Sequence, residues 1–383
     1  MANDKSFKIK NGLSAGRYLG SNGTETAGSE GYSLAGASYD SKSFSVASQA
    51  SVPTDMQIKT DGTKIYVFNR NSTSSAIYQY SLSTPFDVST ASYDSVSLVL
   101  NKSAQSYGCF IDSTGTYVYH ITSTGVIYQY SMTTAWDLST ASYDSKTITL
   151  SAQDTSTVGL YLGDSGTNLY IMGATGSAVY QYTLSTAYDI TTATYASKSL
   201  SVSGQSGSSQ GVWLSESGLY LFYMGYSNTS IYKYTLSTAW DLATATYSDE
   251  VLNVSSHGQY HFGLCFTATG DKLYVPSLWY STIFQYSTVQ TTNTLDLATG
   301  GTFSFTPSGA TTVSFTNPPA SGTATGFALE VVNTGGYALT WPSSVKWHLG
   351  AAPTATATKE LYTFVTTDGG TTYYGKLAGS DIA

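Results

Sequence analysis

One hexapeptide, present in five near copies, constrains this chain more than any other feature. Ile77-Tyr78-Gln79-Tyr80-Ser81-Leu82 returns at Ile127 to Met132, Val179 to Leu184, Ile231 to Leu236 and Ile283 to Thr288. The second aromatics, Tyr80, Tyr130, Tyr182, Tyr234 and Tyr286, lie 50, 52, 52 and 52 residues apart. A tandem unit of that length built from strands is a propeller blade. Within the first copy Tyr78, Tyr80 and Leu82 share one face while Ile77, Gln79 and Ser81 share the other, the period of two that defines a strand.

Each unit reads the same way between Ser38 and Gln290. An alternating polar strand opening Tyr-Asp-Ser-Lys is followed by a variable loop and an apolar strand that ends in a Gly turn. A second strand, another variable loop and the tyrosine strand complete it. The turn glycines are Gly62, Gly115, Gly166, Gly218 and Gly270. Gly108, Gly159, Gly211 and Gly263 open the apolar strand in four units, where backbones crowd around a central axis, and Asp55 stands there in the first. The polar strand begins at Tyr39, Tyr93, Tyr143, Tyr195 and Tyr247, so it precedes the first apolar strand and is missing after the last tyrosine strand. A closed ring follows if Tyr39 to Val46 completes the final blade, which leaves no free sheet edge at the seam. The expected fold is therefore all-β: a five-bladed β-propeller closed by an N-terminal strand. Lys42, Lys146 and Lys198 mark the polar strand as outermost, a defended edge. Thr-Ala-Trp-Asp and its variants after the tyrosine strand predict a helical turn capped by the hydroxyl residue, with a buried aromatic.

Composition supports this reading and removes alternatives. Of 383 residues only 10% are charged and 14% are aromatic, with 33 tyrosines and 36 glycines, material for strands and turns rather than helices. Net charge is −8, and the sixteen Lys and Arg are scattered singly, so no basic stripe faces a nucleic acid. The opening residues lack the apolar stretch of about 7 to 15 residues of a secretory signal, and no run approaches the ~20 residues of a membrane span. A soluble product made in a cytoplasm, without membrane insertion, is the expectation. Cys109 and Cys265 are read as unpaired core thiols.

Residues 1–37 form a leader, with Phe7 to Lys10 alternating like a short strand and Asn11-Gly12 as a turn, suited to anchoring against another protein. Residues 38–290 form the propeller. Residues 291–383 break the period and begin a C-terminal β-domain. Six strands are expected there, at 302–306, 311–316, 327–332, 337–341, 361–366 and 372–377, with Asp368-Gly369-Gly370 as a hairpin turn, in a small β-sandwich or jelly-roll-like arrangement.

The tandem IYQYSLST…AWDLSTASYDS units, the C-terminal run NTLDLATGGTFSF…FTNPP…ALEVVN…LTWPSSVKWHLGAAPT…DGGTTYYGKLAG and the leader KSFKIKNGLSAGRYLG resemble virion structural proteins of tailed bacteriophages. The likeness is to the tail-fibre or head-fibre type from phages of aquatic bacteria, and it covers about nine tenths of the chain. It implies location on a virion, other virion proteins as partners, self-association into a homo-oligomer, and contact with a host surface glycan or protein. It brings no catalytic residues with it.

The chemistry agrees. Five-bladed propellers include glycoside hydrolases, which need two carboxylates converging on the channel. Here Asp87, Asp137, Asp189 and Asp241 belong to connectors, and Asp40, Asp94, Asp144 and Asp249 open outer strands. Asp61, Asp112, Asp164, Glu216 and Asp271 lie at turns. Asp154 and Glu250 lie elsewhere off the inner strands, which leaves Asp55 alone on one. No enzyme is expected, the hydrolase and a free lectin-like adhesin standing as the alternatives. His257 and His261 are four apart but interrupted by Gly258 and without helical pattern, so they read as loop or surface histidines rather than a zinc pair. No metal and no cofactor is expected, and no glycine-rich stretch opens a helix as a phosphate loop would. The turns and connectors at one end of the ring keep constant length while the loops at the other end vary, and recognition is built on variable loops. Arg70, Tyr226, Tyr260, Trp279 and Tyr280 are the candidate ligand contacts at that variable end. Gln49, Gln105, Gln153, Gln205 and Gln259, one in each polar-to-apolar loop, are expected to satisfy backbone groups there.

Overall fold

A computed structural model describes residues 17–19, 25–27, 32–71, 74–100, 105–288, 291–307, 311–333, 339–356 and 358–381. The short strand and turn expected at Phe7 to Gly12 lie outside the described residues. Strands β1 (Arg17–Leu19) and β2 (Glu25–Ala27) pair antiparallel, and β3 (Ser38–Ser45) begins the repeats. Blade 1 is β4 (Pro53–Ile58), β5 (Lys64–Asn69), β6 (Ala76–Leu82) and β7 (Ala91–Val99), hydrogen-bonded in that order. Blade 2 is β8 (Ser106–Ile111), β9 (Tyr117–Thr122), β10 (Val126–Met132) and β11 (Ala141–Thr149). Blade 3 is β12 (Thr157–Gly163), β13 (Asn168–Gly173), β14 (Ala178–Leu184) and β15 (Ala193–Ser201). Blade 4 is β16 (Ser209–Leu214), β17 (Tyr220–Gly225), β18 (Ser230–Leu236) and β19 (Ala245–Asn253). Blade 5 is β20 (Cys265–Phe266), β21 (Lys272–Ser277) and β22 (Thr282–Ser287), completed by β3 from the start of the chain. Phe44 stands opposite Ile283, and Lys42 opposite Gln285. The chain is a five-bladed β-propeller closed by its early strand.

The tyrosine strands bury one face against the next blade. Tyr80, Tyr130 and Tyr182 are among the largest fully buried side chains, and each such burial contributes about 1.5–3 kcal/mol. Cys109 and Cys265 are free and buried in two different core clusters. Burial pushes the Cys265 thiol up to about 12, so neither sulfur is a thiolate at neutral pH.

Polar contacts between blades repeat as regularly as the sequence does. The tyrosine-strand glutamine accepts the backbone N–H of the next blade's connector: Gln79 from Leu138, Gln129 from Ile190, Gln181 from Leu242 and Gln285 from Val88, at 2.9–3.2 Å. A second-strand tyrosine donates to the same connector, Tyr66 to the Trp136 carbonyl and Tyr170 to that of Trp240. The outer-strand lysines also join blade to blade. Lys42, Lys146 and Lys198 reach across to Asp87, Asp189 and Asp241 of the following blade at 2.7–2.8 Å. Those aspartates are themselves the helix caps. The single 3-10 turn is Val88–Thr90 and its counterparts, and Asp87, Asp137, Asp189 and Asp241 accept its N–H, in place of the threonine expected from the sequence. The aromatic before each aspartate takes φ of +63 to +64° and lays its ring on the turn glycine, where a Cβ would enter the ring.

Blade 5 obtains the same connector from the other end of the chain. Tyr32 lies on Gly270 and donates its N–H to the Gly270 carbonyl, as Phe86 does to Gly62. Leu34, almost fully buried, takes the place of Val88 and Leu138. The ring therefore includes residues from Tyr32, six positions before the Tyr-Asp-Ser-Lys strand. At this seam the polar set changes together: Lys233 replaces the glutamine, Glu250 the lysine, Ser33 the aspartate and Phe222 the tyrosine. Lysine cannot accept a hydrogen bond, so Glu250 accepts instead from Leu34 N, at 2.7 Å, and from Ser33 Oγ. Its other oxygen pairs with Lys233 at 2.7 Å.

Beyond Thr288 two sheets share one core. Strands β23 (Thr291–Asp296), β25 (Thr311–Thr316) and β27 (Leu339–Thr340) form the first. The second holds β24 (Thr302–Phe305), β26 (Thr325–Val332), β28 (Val345–Trp347), β29 (Lys359–Thr366) and β30 (Tyr373–Ser380). Phe315 of the first sheet packs on Phe327, Phe364 and Tyr373 of the second. Two facing layers were expected. The connectivity is not that of an antiparallel jelly roll, because β23 to β26 alternate between sheets and same-sheet neighbours there run parallel.

Candidate binding surface

The ring has two unlike ends. At the end of the constant turns and connectors, a cavity of about 300 Å³ opens into the channel, lined among others by Tyr161, Trp213, Trp240, Asp112, Asp164 and Glu216. Sequence reasoning placed no cavity there, because its walls are the same residues that build the turns. Asp112 is taken up by the N–H groups of Thr114, Thr116 and Tyr117, and Asp164 by Thr167 and Asn168. Glu216 is open to water yet flanked by protein, which raises its pKa. The chain enters the ring at this end through Tyr32 and leaves at the same end through Thr288, whose N–H donates to the Asp271 carbonyl.

At the opposite end the innermost strands close the channel. A Cβ on Gly159 would stand 2.9 Å from Gly211 Cα, and one on Gly211 would stand 2.6 Å from the Phe262 carbonyl, so backbones meet there without side chains. Asp55 fills the fifth place, its carboxyl accepting Met56 N–H at 2.9 Å and Cys109 N–H at 3.1 Å. Complete burial outweighs those two bonds and pushes its pKa up to about 7.

Arg70 crosses above this constriction. It follows β5 in blade 1, and its guanidinium lies 4.7 Å from the ring centroid of Tyr107 in blade 2 and 4.7 Å from that of Phe262 in blade 5. Phe262 packs on Tyr226 at 5.3 Å, Tyr226 on Tyr260 at 5.5 Å, and Tyr260 on Trp279 at 6.1 Å. Four of the five predicted residues thus lie on one aromatic path from the channel mouth to the rim. Tyr260 and Trp279 are 37% and 60% exposed at its outer end. Tyr280 is the exception. It is 53% exposed, but its ring turns edge-on to Phe284, and among the described residues no ring contact joins it to the path. Tyr107 and Phe262 were not singled out from sequence. The available signal was their position: each precedes the glycine that opens its inner strand, where blades 1, 3 and 4 carry Thr54, Val158 and Gln210.

The loop that presents Tyr260 is held from below. His261 is 1% exposed and contributes Nδ1 at 3.0 Å from the Pro276 carbonyl and Nε2 at 3.3 Å from the Gly258 carbonyl. His257 Nδ1 lies 2.5 Å from the Tyr286 hydroxyl. Both lie in the loop, as expected, with His261 buried and His257 part-exposed, and burial lowers the pKa of each. His257 holds the position that Gln153 and Gln205 hold in blades 3 and 4, where the amide oxygen accepts the hydroxyl of Tyr182 or Tyr234 at 2.5 Å. Those glutamines bind tyrosine hydroxyls rather than the expected backbone groups. With these contacts in place Tyr260 adopts φ of +64°, a conformation that costs a non-glycine residue about 1 kcal/mol or more and is sustained by its surroundings.

Among the described residues no group of three or more His, Cys, Asp and Glu could hold a metal ion, and no helix is long and apolar enough to cross a membrane. No family model matches the sequence, and no curated protein matches it. Solved structures are similar in fold. A functionally unknown protein from Desulfotomaculum acetoxidans is 11% identical over 58% of this chain and 62% of that one, with a TM-score of 0.37. A provisionally assigned 6-phosphogluconolactonase from Bacteroides uniformis is 12% identical over 60% and 64%, with a TM-score of 0.39. The Cps50 (Swd1) β-propeller domain of Myceliophteria thermophila is 12% identical over 62% and 82%, with a TM-score of 0.35. The match thus spans just under two thirds of the first two proteins.

Proposed function

We propose that this chain is a non-enzymatic structural protein of a tailed-bacteriophage virion, a fibre- or spike-like component that meets the host surface through its propeller. The observation that carries the reading is the division of labour between the two ends of the ring. Both chain extensions, residues before Tyr32 and after Thr288, join at the constant end. The aromatic path of Tyr226, Tyr260 and Trp279 lies at the variable end. An attachment module with its tethers on one face and rigid, exposed aromatics on the other can be carried by a particle and still reach a partner. The virion assignment itself rests on the likeness of the repeat and C-terminal runs to fibre proteins.

Of the carboxylates that line the cavity at the constant end, Asp112 and Asp164 are taken up by hydrogen bonds within their own turns, which leaves Glu216 without a free acidic partner there. Asp55 opens an inner strand at the variable end and Glu216 follows another at the constant end, about five residues of strand away, roughly 16 Å at the usual rise. That exceeds the separations of about 5–9.5 Å at which paired glycosidase carboxylates work. Mass spectrometry of purified particles tests the proposal: the protein is expected among virion components, and its absence would refute it. A free adhesin would instead be recovered outside particles while still binding cells.

A further inference from the structure

The cations of the ring are almost all neutralised locally. Lys42, Lys59, Lys64, Lys146, Lys198, Lys233 and Lys272 each lie within 2.9 Å of a carboxylate oxygen. Among the described residues of the ring, Arg70 alone has no carboxylate partner. Its Nε is buried without a hydrogen bond, while the residue as a whole remains part-exposed. Among the described residues of the ring this leaves one uncompensated positive centre, at the mouth of the variable end.

The two flanking rings hold that centre in place. Tyr107 and Phe262 stand side by side, 6.2 Å apart, and each lies 4.7 Å from the guanidinium, so two cation–π contacts hold it. A guanidinium fixed in this way presents a planar fork of N–H donors, the geometry that pairs with a carboxylate through two parallel hydrogen bonds. Tyr226 adjoins it closely enough for the positive charge to act on its phenol. From there the path of tilted rings leads outward to Tyr260 and Trp279. Aromatic faces of this kind, set 5.5–6.1 Å apart and partly exposed, receive the apolar faces of sugar rings, while neighbouring hydroxyls receive their polar edges.

We infer that this surface binds a carboxylate-bearing saccharide, with Arg70 pairing with the acid group and Tyr226, Tyr260 and Trp279 stacking the sugars that follow it. The inference rests on the recognition role proposed above and narrows it to one chemical class. A surface that read only neutral sugars would have no use for an unpaired guanidinium clamped at its inner end.

The test uses the full soluble chain on a glycan array carrying uronic-acid and sialic-acid oligosaccharides beside their methyl esters, their sulfated analogues and their neutral parents. Binding is expected on the free acids and roughly ten- to hundredfold weaker on the esters. Arg70→Gln removes the charged hydrogen bonds and is expected to weaken binding of the best acidic hit roughly ten- to hundredfold, to the level of its ester. Arg70→Lys keeps the charge without the fork and falls between. Trp279→Ala, at an exposed position that leaves the ring intact, weakens acid and ester together. Near-ultraviolet circular dichroism confirms that each variant is folded. Hits confined to neutral or sulfated glycans, equal binding of acid and ester, no hit at all, or an acidic hit unchanged in Arg70→Gln would overturn the inference. The virion role has its own test in the particle composition, so a protein found in particles that fails on the array refutes only the acidic-sugar assignment.

Discussion

The buried carboxyl of Asp55 makes a prediction whose size can be worked out. Its pKa is about 7 in the fold against an ordinary value of 3.8, because burial removes water that two backbone N–H groups do not fully replace. Between these values the folded protein holds a proton that the unfolded chain has released, so stability falls as pH rises through the window and is level above pH 7. At about 1.36 kcal/mol per unit, the whole window amounts to about 4 kcal/mol. Asp55→Asn abolishes this term but forfeits one accepted N–H, a pH-independent loss of about 1–2 kcal/mol. The variant should therefore be less stable than the natural chain near pH 4 and more stable at pH 8, with a crossover near pH 5. Urea unfolding across that range, followed by the near-ultraviolet signal of the buried tyrosines, measures the difference. Groups that titrate alike in both proteins cancel from it. A stability difference that stays constant from pH 4 to pH 8 would refute the reasoning, since it would mean that the carboxyl is hydrated or ionised without penalty.

Other expectations follow from the seam, the connectors and the inter-blade ion pairs. Glu250→Gln leaves the buried Lys233 ammonium without its carboxylate partner and should lower stability by about 2–4 kcal/mol, whereas Lys42→Ala, which breaks an equivalent but more exposed pair, should lower it by less than about 1 kcal/mol. Denaturant midpoints of the two variants compare them directly. Trp240→Ala removes a ring stacked on both Gly218 and Gly163, and a loss of about 3 kcal/mol is expected in the same assay. Lys42, Lys146 and Lys198 hold the carboxyls of Asp87, Asp189 and Asp241 below the usual range, and Lys233 does so for Glu250. Their contribution is complete above pH ~4 and lost as pH falls through the depressed values, so thermal midpoints should drop steeply on acidification below pH 4.

The blade count and the closure by β3 were legible because repetition is a property of the sequence itself. Five tyrosine strands, five polar strands and the offset between them admit one ring, and the pairing of Phe44 with Ile283 follows. The seam was harder to read. Tyr32-Ser33-Leu34 performs the work of Phe86-Asp87-Val88, but its aspartate has become serine, and the cue survives only when Lys233 and Glu250 are read with it. Changing all four polar positions at one junction gives the closing segment contacts that no other blade offers, which directs it to the right place. Of the binding surface, Arg70, Tyr226, Tyr260 and Trp279 were identified from loop variability alone. Tyr107 and Phe262 were missed because they stand at the head of apolar runs and look like core. His257 and His261 were legible as loop residues, but not their contacts, because a helix-based test for metal ligands says nothing about side chains that hold a loop to carbonyls and a tyrosine hydroxyl. The parallel pairing in the C-terminal sheets was also hidden, since strand periodicity does not distinguish a neighbour in the same sheet from one across the core.

A reconstruction of the particle at side-chain resolution tests the central claim most directly, because it fixes which end of the ring meets the virion. The account predicts density for this chain with Tyr32 and Thr288 turned toward the particle and Trp279 turned away into solvent. A ring seated with Trp279 and Tyr260 against another virion protein would contradict it.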